Sequence, residues 1–226
     1  MNFRPITAAA ILVVSALAGH AQGWTKNLYT SVGAAYVQQQ DTILSESIGT
    51  MTVPGGTSTF DSGIRGDFIL GYNINKAWGV EFNTGIIWNS MDTFNGTSLS
   101  SVNQTFNTYT IPFLANLVYR IPLKGPFSAY VGAGAGGAAS ILHYTSSTYD
   151  PSDSTFVFAY QAKAGVEYAL TKHASLGVAY QFFGTTDPNW RFTVNYVGSI
   201  LPPTDISFKE EGFYTHAFTV NFTWTF

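Results

Sequence analysis

Residues 218–226 alternate large apolar with small polar side chains without a break. A period of two is that of a β-strand, so Phe218, Val220, Phe222, Trp224 and Phe226 share one face and Thr219, Asn221, Thr223 and Thr225 the other. The same alternation recurs upstream. Residues 63–74 set Ile64, Phe68, Leu70 and Tyr72 against Arg65, Asp67 and Gly71, and residues 78–88 set Trp78, Val80, Phe82, Ile86 and Trp88 against Gly79, Glu81, Asn83 and Gly85. Residues 156–168 set Phe158, Tyr160 and Val166 against Gln161, Lys163 and Glu167. With 28–37, 109–120, 127–140 and 175–183, the pattern predicts eight strands. Pro112 interrupts the fourth, where it removes a ladder donor and marks a bulge or an edge.

The connections alternate between short and long. Residues 73–76, 121–126 and 170–173 are tight turns, whereas 38–62, 89–106, 142–155 and 184–213 are long and rich in Ser, Thr, Asn, Gly and Pro. An up-and-down barrel with both termini at one end would carry three short turns beside the termini and four long loops at the other end. Transmembrane barrels have this asymmetry.

Alternation does not say which face is the lumen, and a soluble barrel with its apolar face inside is the rival. Composition argues against that rival. Charged residues make up 10% of the chain, against roughly 25% in typical soluble domains, which is too few for a wet exterior. The polar faces instead gather small residues, such as Gly79, Gly132, Gly134, Gly165 and Gly177, suited to a narrow packed interior. Aromatic residues mark the strand ends: Trp78, Tyr119, Phe127, Tyr168 and Trp224 at the short turns, and Tyr36, Trp88, Tyr109 and Phe158 at the long loops. Two such girdles belong at the two interfaces of a bilayer. After residue 21 no stretch approaches a membrane helix, so residence in lipid requires a closed barrel, which satisfies every backbone group.

The first residues predict export. A short n-region with Arg4, an uncharged apolar run over 6–18 and the small-x-small triplet Gly19-His20-Ala21 read as a signal peptide cleaved after Ala21. The apolar run is well short of the roughly 20 residues needed to span a bilayer. The domain reading is therefore 1–21 signal peptide and 22–226 barrel. The absence of Cys excludes a lipid anchor on sulfur, disulfides and thiolate chemistry. A formal charge of −3, mildly acidic, gives no reason to expect nucleic acid as a partner.

The chain resembles the superfamily of small eight-stranded outer-membrane barrels that includes the OmpA transmembrane domain, OmpX, Opa-type proteins and alphaproteobacterial surface antigens. The resemblance spans the mature chain and is carried by residues 111–119 (IPFLANLVY), 129–137 (AYVGAGAGG) and 158–168 (FAYQAKAGVEY), which look like that family's fourth to sixth strands. It implies an all-β, antiparallel, up-and-down transmembrane barrel in the bacterial outer membrane. It also implies that the terminal strand, with Phe222, Trp224 and Phe226, serves as a signal to the barrel-assembly machinery. The superfamily is functionally mixed: surface structure, adhesion, immune interaction, solute passage and, in a few members, lipid modification.

Arg65, Asp67, Glu81, Lys163 and Glu167 form the cluster of ionisable groups on the inward faces. Two carboxylates facing each other there would repel, so Arg65 or Lys163 is expected to bridge Asp67 and Glu81. The plain reading of the cluster is a neutralised plug; a proton-linked gate or selective pore is the sharper one. Eight strands enclose just enough room for their own side chains. His173-Ala-Ser175 resembles the His-x-Ser pair of lipid A deacylases, but it lies at a short turn, away from the outer-leaflet substrate, and Glu167 would face the lumen. His143 and His216 lack metal-ligand spacing. No catalytic residue, cofactor or metal is expected.

Specificity is expected in the loops, which carry residues 149–153 (YDPSD), 187–191 (DPNWR), Pro202, Pro203 and Lys209-Glu-Glu211. Pro and a Trp190 costly to leave in water predict a partly ordered fourth loop. The reading is a monomeric outer-membrane barrel with a structural or surface-interaction role, adhesive or immune-facing. Its partners are membrane lipid, lipopolysaccharide, the assembly machinery and a host or cell-surface ligand. The alternative is a passive transporter or channel for apolar or small solutes, which a lateral gap at Pro112 or in the Gly-rich fifth strand would favour; a soluble ligand-binding barrel ranks below both.

Overall fold

The computed structural model describes residues 27–48, 51–145, 152–194 and 204–226. The expected signal peptide and its cleavage site lie outside these residues, as do Tyr149 to Pro151 and Leu201 to Pro203. In chain order the first strands are β1 (Leu28–Gln39), β2 (Thr42–Ile48), β3 (Met51–Phe60), β4 (Gly63–Asn73), β5 (Trp78–Phe94) and β6 (Thr97–Ser98). Then come β7 (Thr105–Pro122), β8 (Phe127–Thr145), β9 (Ser152–Ala169), β10 (Ala174–Thr185), β11 (Asn189–Val194), β12 (Thr204–Glu210) and β13 (Phe213–Thr225).

Eight of these close a ring of antiparallel neighbours in the order β1, β4, β5, β7, β8, β9, β10, β13 and back to β1. The tight turns have local causes. Asn75 accepts the backbone N–H groups of Ala77 and Trp78 on its side-chain oxygen, Gly125 supplies a positive φ of 72°, and Thr171 Oγ1 accepts the N–H of His173 and Ala174. Outside the ring the apolar faces are bare: Val32 is 53% exposed, Ile64 62% and Phe218 66%. In a bilayer that surface meets acyl chains. Near the short turns, Trp78 packs on Tyr119 (4.8 Å) and Phe127 on Tyr168 (5.1 Å), the girdle at that end.

The ring departs from regularity at one place. Between β5 and β7 the ladder runs to Thr84↔Phe113 and resumes at Ile87↔Thr110, so Gly85 and Ile86 go unbridged opposite Ile111 and Pro112. Pro112 has no N–H to give there.

The long loops are where the sequence reading and the fold differ most. Far from being irregular throughout, they carry strands of their own. The β2–β3 and β11–β12 hairpins join the outer extension of β5 in a second sheet ordered β11-β12-β2-β3-β5, with β6 also on β5. This crown has its own apolar core of Leu44, Phe60, Met91, Leu99, Phe106, Leu142, Trp190 and Phe192. Trp190 is buried and donates its indole N–H to the Ser140 carbonyl at 3.1 Å, which ties the fourth loop to β8.

Candidate functional site: a packed lumen beneath a folded crown

The inward faces of the ring fill the barrel in layers. Near the short turns, Glu81 is the hub. Tyr29 donates its hydroxyl to Glu81 Oε1 at 2.6 Å, Lys163 pairs with Glu81 Oε2, and Arg120 reaches Oε1 at 3.8 Å. Arg120 also donates to Asn73 Oδ1 at 2.7 Å and lies 4.5 Å from the Tyr29 ring centre. Glu167 accepts from Thr223 Oγ1 at 3.4 Å. Glycine makes this packing possible: a Cβ on Gly71 would sit 2.0 Å from the Tyr29 ring.

One layer further in, Arg65 binds Asp67 through Nε (2.9 Å) and Nη2 (2.8 Å) and also donates to Gln161 at 3.2 Å. Asn83 and Gln181 donate to the same carboxylate at 3.3 and 3.4 Å. The expected bridging cation is absent from this arrangement. Asp67 lies opposite Gly85 and Glu81 opposite Gly71, so register separates the two acids, and each has its own cation. Among the described residues the network balances Arg65, Arg120 and Lys163 against Asp67, Glu81 and Glu167. Free space within it is about 20 Å³, room for about one water.

Above the ions comes an apolar layer. Val37, Ile87, Leu114 and Phe183 are fully buried and Phe213 nearly so, and the Arg65 guanidinium lies 5.6 Å from the Phe183 ring. The lumen is thus closed twice, by ion pairs and by hydrocarbon. Higher still, Glu210 at the end of β12 is buried, and its carboxyl accepts a hydrogen bond from Gln39 Nε2 at 2.8 Å.

The crown holds a cavity of about 300 Å³, walled by Leu44, Leu99, Phe106, Phe192, Phe208 and neighbours, with Glu46 the one charged group among the described lining residues. A wider polar recess of about 460 Å³ lies at the opposite mouth, where Arg120, Glu167 and Ser175 meet solvent. His173 Nδ1 faces the Thr225 carbonyl at 3.0 Å and its ring stacks on Trp224. Among the described residues no group of three or more His, Cys, Asp or Glu side chains is placed to hold a metal. Phe222 and Trp224 point outward, and the Phe226 N–H bonds the Leu28 carbonyl at 3.1 Å.

Sequence reasoning missed Arg120, Tyr29 and Tyr130 as lumen residues. Arg120 shares parity with Asn116 and Val118, both buried, and that was the available signal. The two tyrosines sit where aromatic residues elsewhere face lipid, and only strand pairing opposite Gly71 and Gly165 reveals their direction.

Residues 6–226 match the family described as outer membrane protein beta-barrel domain. Among solved structures, the chain is similar to the outer membrane protein OprG from Pseudomonas aeruginosa at 16% identity, covering 91% of this chain and 99% of that one, with a TM-score of 0.58. It is also similar to the outer membrane protease OmpT from Escherichia coli at 8% identity, covering 92% and 99%, with a TM-score of 0.51. At these identities the likeness is one of fold. No curated protein sequence matches the chain. With residues 6–226 matched, a closed antiparallel ring and lipid-ready outer faces, the chain belongs to the outer-membrane β-barrel family and resides in the bacterial outer membrane.

Proposed function

We propose that this protein acts at the cell surface through its crown, binding a ligand or partner there, while the barrel serves as a closed anchor. The observation that carries this reading is the contrast along the axis. The lumen is packed with ion pairs and buried hydrocarbon, whereas the crown is a folded sheet with an apolar core and a cavity of about 300 Å³. A rigid scaffold presenting such a surface suits recognition, and a lipopolysaccharide, host or cell-surface ligand fits it. The ionic cluster of Arg65, Asp67, Glu81, Lys163 and Glu167, extended by Arg120, then acts as a plug. Phe222, Trp224 and Phe226 serve the assembly machinery, and the barrel works as a monomer without catalysis or cofactor. In planar bilayers the purified protein should pass little steady current; large stable currents would end the plug reading.

Passage of apolar compounds sideways through the wall is the second reading, favoured by the unbridged stretch at Pro112 beside the buried Ile87 and Leu114. It requires that apolar solute uptake fall when that seam is locked by a disulfide between cysteines placed at Ile86 and Ile111. Unchanged uptake would leave surface binding alone.

A further inference from the structure

The crown cavity has a chemistry that narrows its ligand. Phe106 is the centre of its wall: Tyr144 lies 4.8 Å away and Phe208 5.4 Å, edge to face, with Phe192 5.8 Å beyond Phe208. Phe94 completes the lining. Glu46 enters this aromatic box from β2, directly opposite Phe208 in the β2–β12 ladder and on the face of the buried Leu44. Its carboxylate has no hydrogen bond or ion pair with any described residue, whereas Asp187 pairs with Lys209, Asp205 accepts from Thr193 and Glu210 from Gln39. Burial alone pushes the Glu46 carboxyl above its ordinary range, so no neighbouring cation offsets it.

In a cavity lined by Phe94, Phe106, Tyr144, Phe192 and Phe208, an unpaired carboxylate gains nothing from its aromatic neighbours, because ring faces carry negative potential. A cation placed between them reverses the sign of every contact: ring faces attract it, and so does the acid. Beside Glu46, the polar side chains of the described lining are Gln104 and Tyr144, few acceptors for a ligand with several N–H donors. We infer that the crown cavity binds a small quaternary ammonium, seated on the aromatic faces with its charge toward Glu46. This inference rests on the surface-binding role proposed above and names the ligand class of that site.

The test uses full-length protein in nanodiscs of phosphatidylethanolamine and phosphatidylglycerol, which contain no choline headgroup, with empty discs as baseline. Choline and its neutral isostere 3,3-dimethyl-1-butanol are compared by calorimetry. Wild type should bind choline about tenfold more tightly than the alcohol. Glu46→Gln, checked for folding by heat-modifiable gel mobility, should bring the two within about twofold, and Phe208→Leu should weaken choline more than the alcohol. Equal binding of both by wild type would overturn the cation inference and leave the crown as an apolar site. No binding of either, with bilayer current still low, would overturn the inference without touching the closed-barrel reading. Choline affinity unchanged in Glu46→Gln would also overturn it.

Discussion

Glu210 makes the docking of the crown pH-dependent. It ends β12, is 3% exposed, and has one side-chain partner among the described residues, Gln39 Nε2. Burial pushes its carboxyl up to about 8 from an ordinary value near 4.5, and the Gln39 hydrogen bond only partly opposes this. The docked crown therefore keeps the proton over a pH window in which an undocked, hydrated Glu210 gives it up. Docking is strongest below about pH 4.5, weakens by roughly 1.4 kcal/mol per unit as pH rises, and levels off above about pH 8. Between pH 5 and 7 the loss is roughly 2–3 kcal/mol. Hydrogen exchange of the β11 and β12 amides, corrected for intrinsic rates at pH 5, 6, 7 and 8, reads this opening free energy directly. Glu210→Gln keeps an acceptor for Gln39 and cannot ionise, so its slope should be flat and its crown more firmly docked at pH 7 than wild type. A flat profile in wild type, or an unchanged slope in the variant, would refute the reasoning.

Two further perturbations address the interior and the crown separately. Arg65→Ala strands Asp67, whose side chain is 2% exposed, without its cation, and should destabilise the barrel by about 3–5 kcal/mol in urea unfolding from lipid vesicles. Adding Asp67→Ala should restore much of the loss. Trp190→Ala removes a large buried side chain and its hydrogen bond to the Ser140 carbonyl; limited proteolysis should then cut the β11–β12 hairpin while the eight-stranded ring stays resistant.

The ring was legible in the sequence because lipid and lumen impose opposite demands on successive residues, and the period of two survives in every stave. Ile64, Phe68, Leu70 and Tyr72 against Arg65, Asp67 and Gly71 is enough to place β4. The crown was not legible for the complementary reason. Residues 42–48 and 204–210 mix Ser, Thr, Glu, Lys and Ile without clean alternation, since their pairing is templated by the outer extension of β5 and their burial comes from contacts between loops. Within the lumen, strand parity finds Arg65, Lys163 and Glu81, but register decides partners, and register depends on the turn at residues 74–77 and on Gly71 giving way to Tyr29. Trp190 was the exception among loop residues, a side chain too apolar to leave in water.

The seam between β1 and β13 joins Ser31 to Thr223 by a hydroxyl hydrogen bond across 192 residues of chain. Every other wall of the barrel is built between strands that follow one another around the ring; this one brings together the first strand and the last. Contacts so distant in sequence form late, because the intervening chain must give up its freedom first. Until β13 arrives, β1 and β10 each present a row of unpaired backbone groups, and each such group costs several kcal/mol in hydrocarbon. A seven-stranded intermediate therefore has no stable place in the bilayer core. Entry into lipid requires either that β13 has closed on β1 or that both open edges are covered until it does.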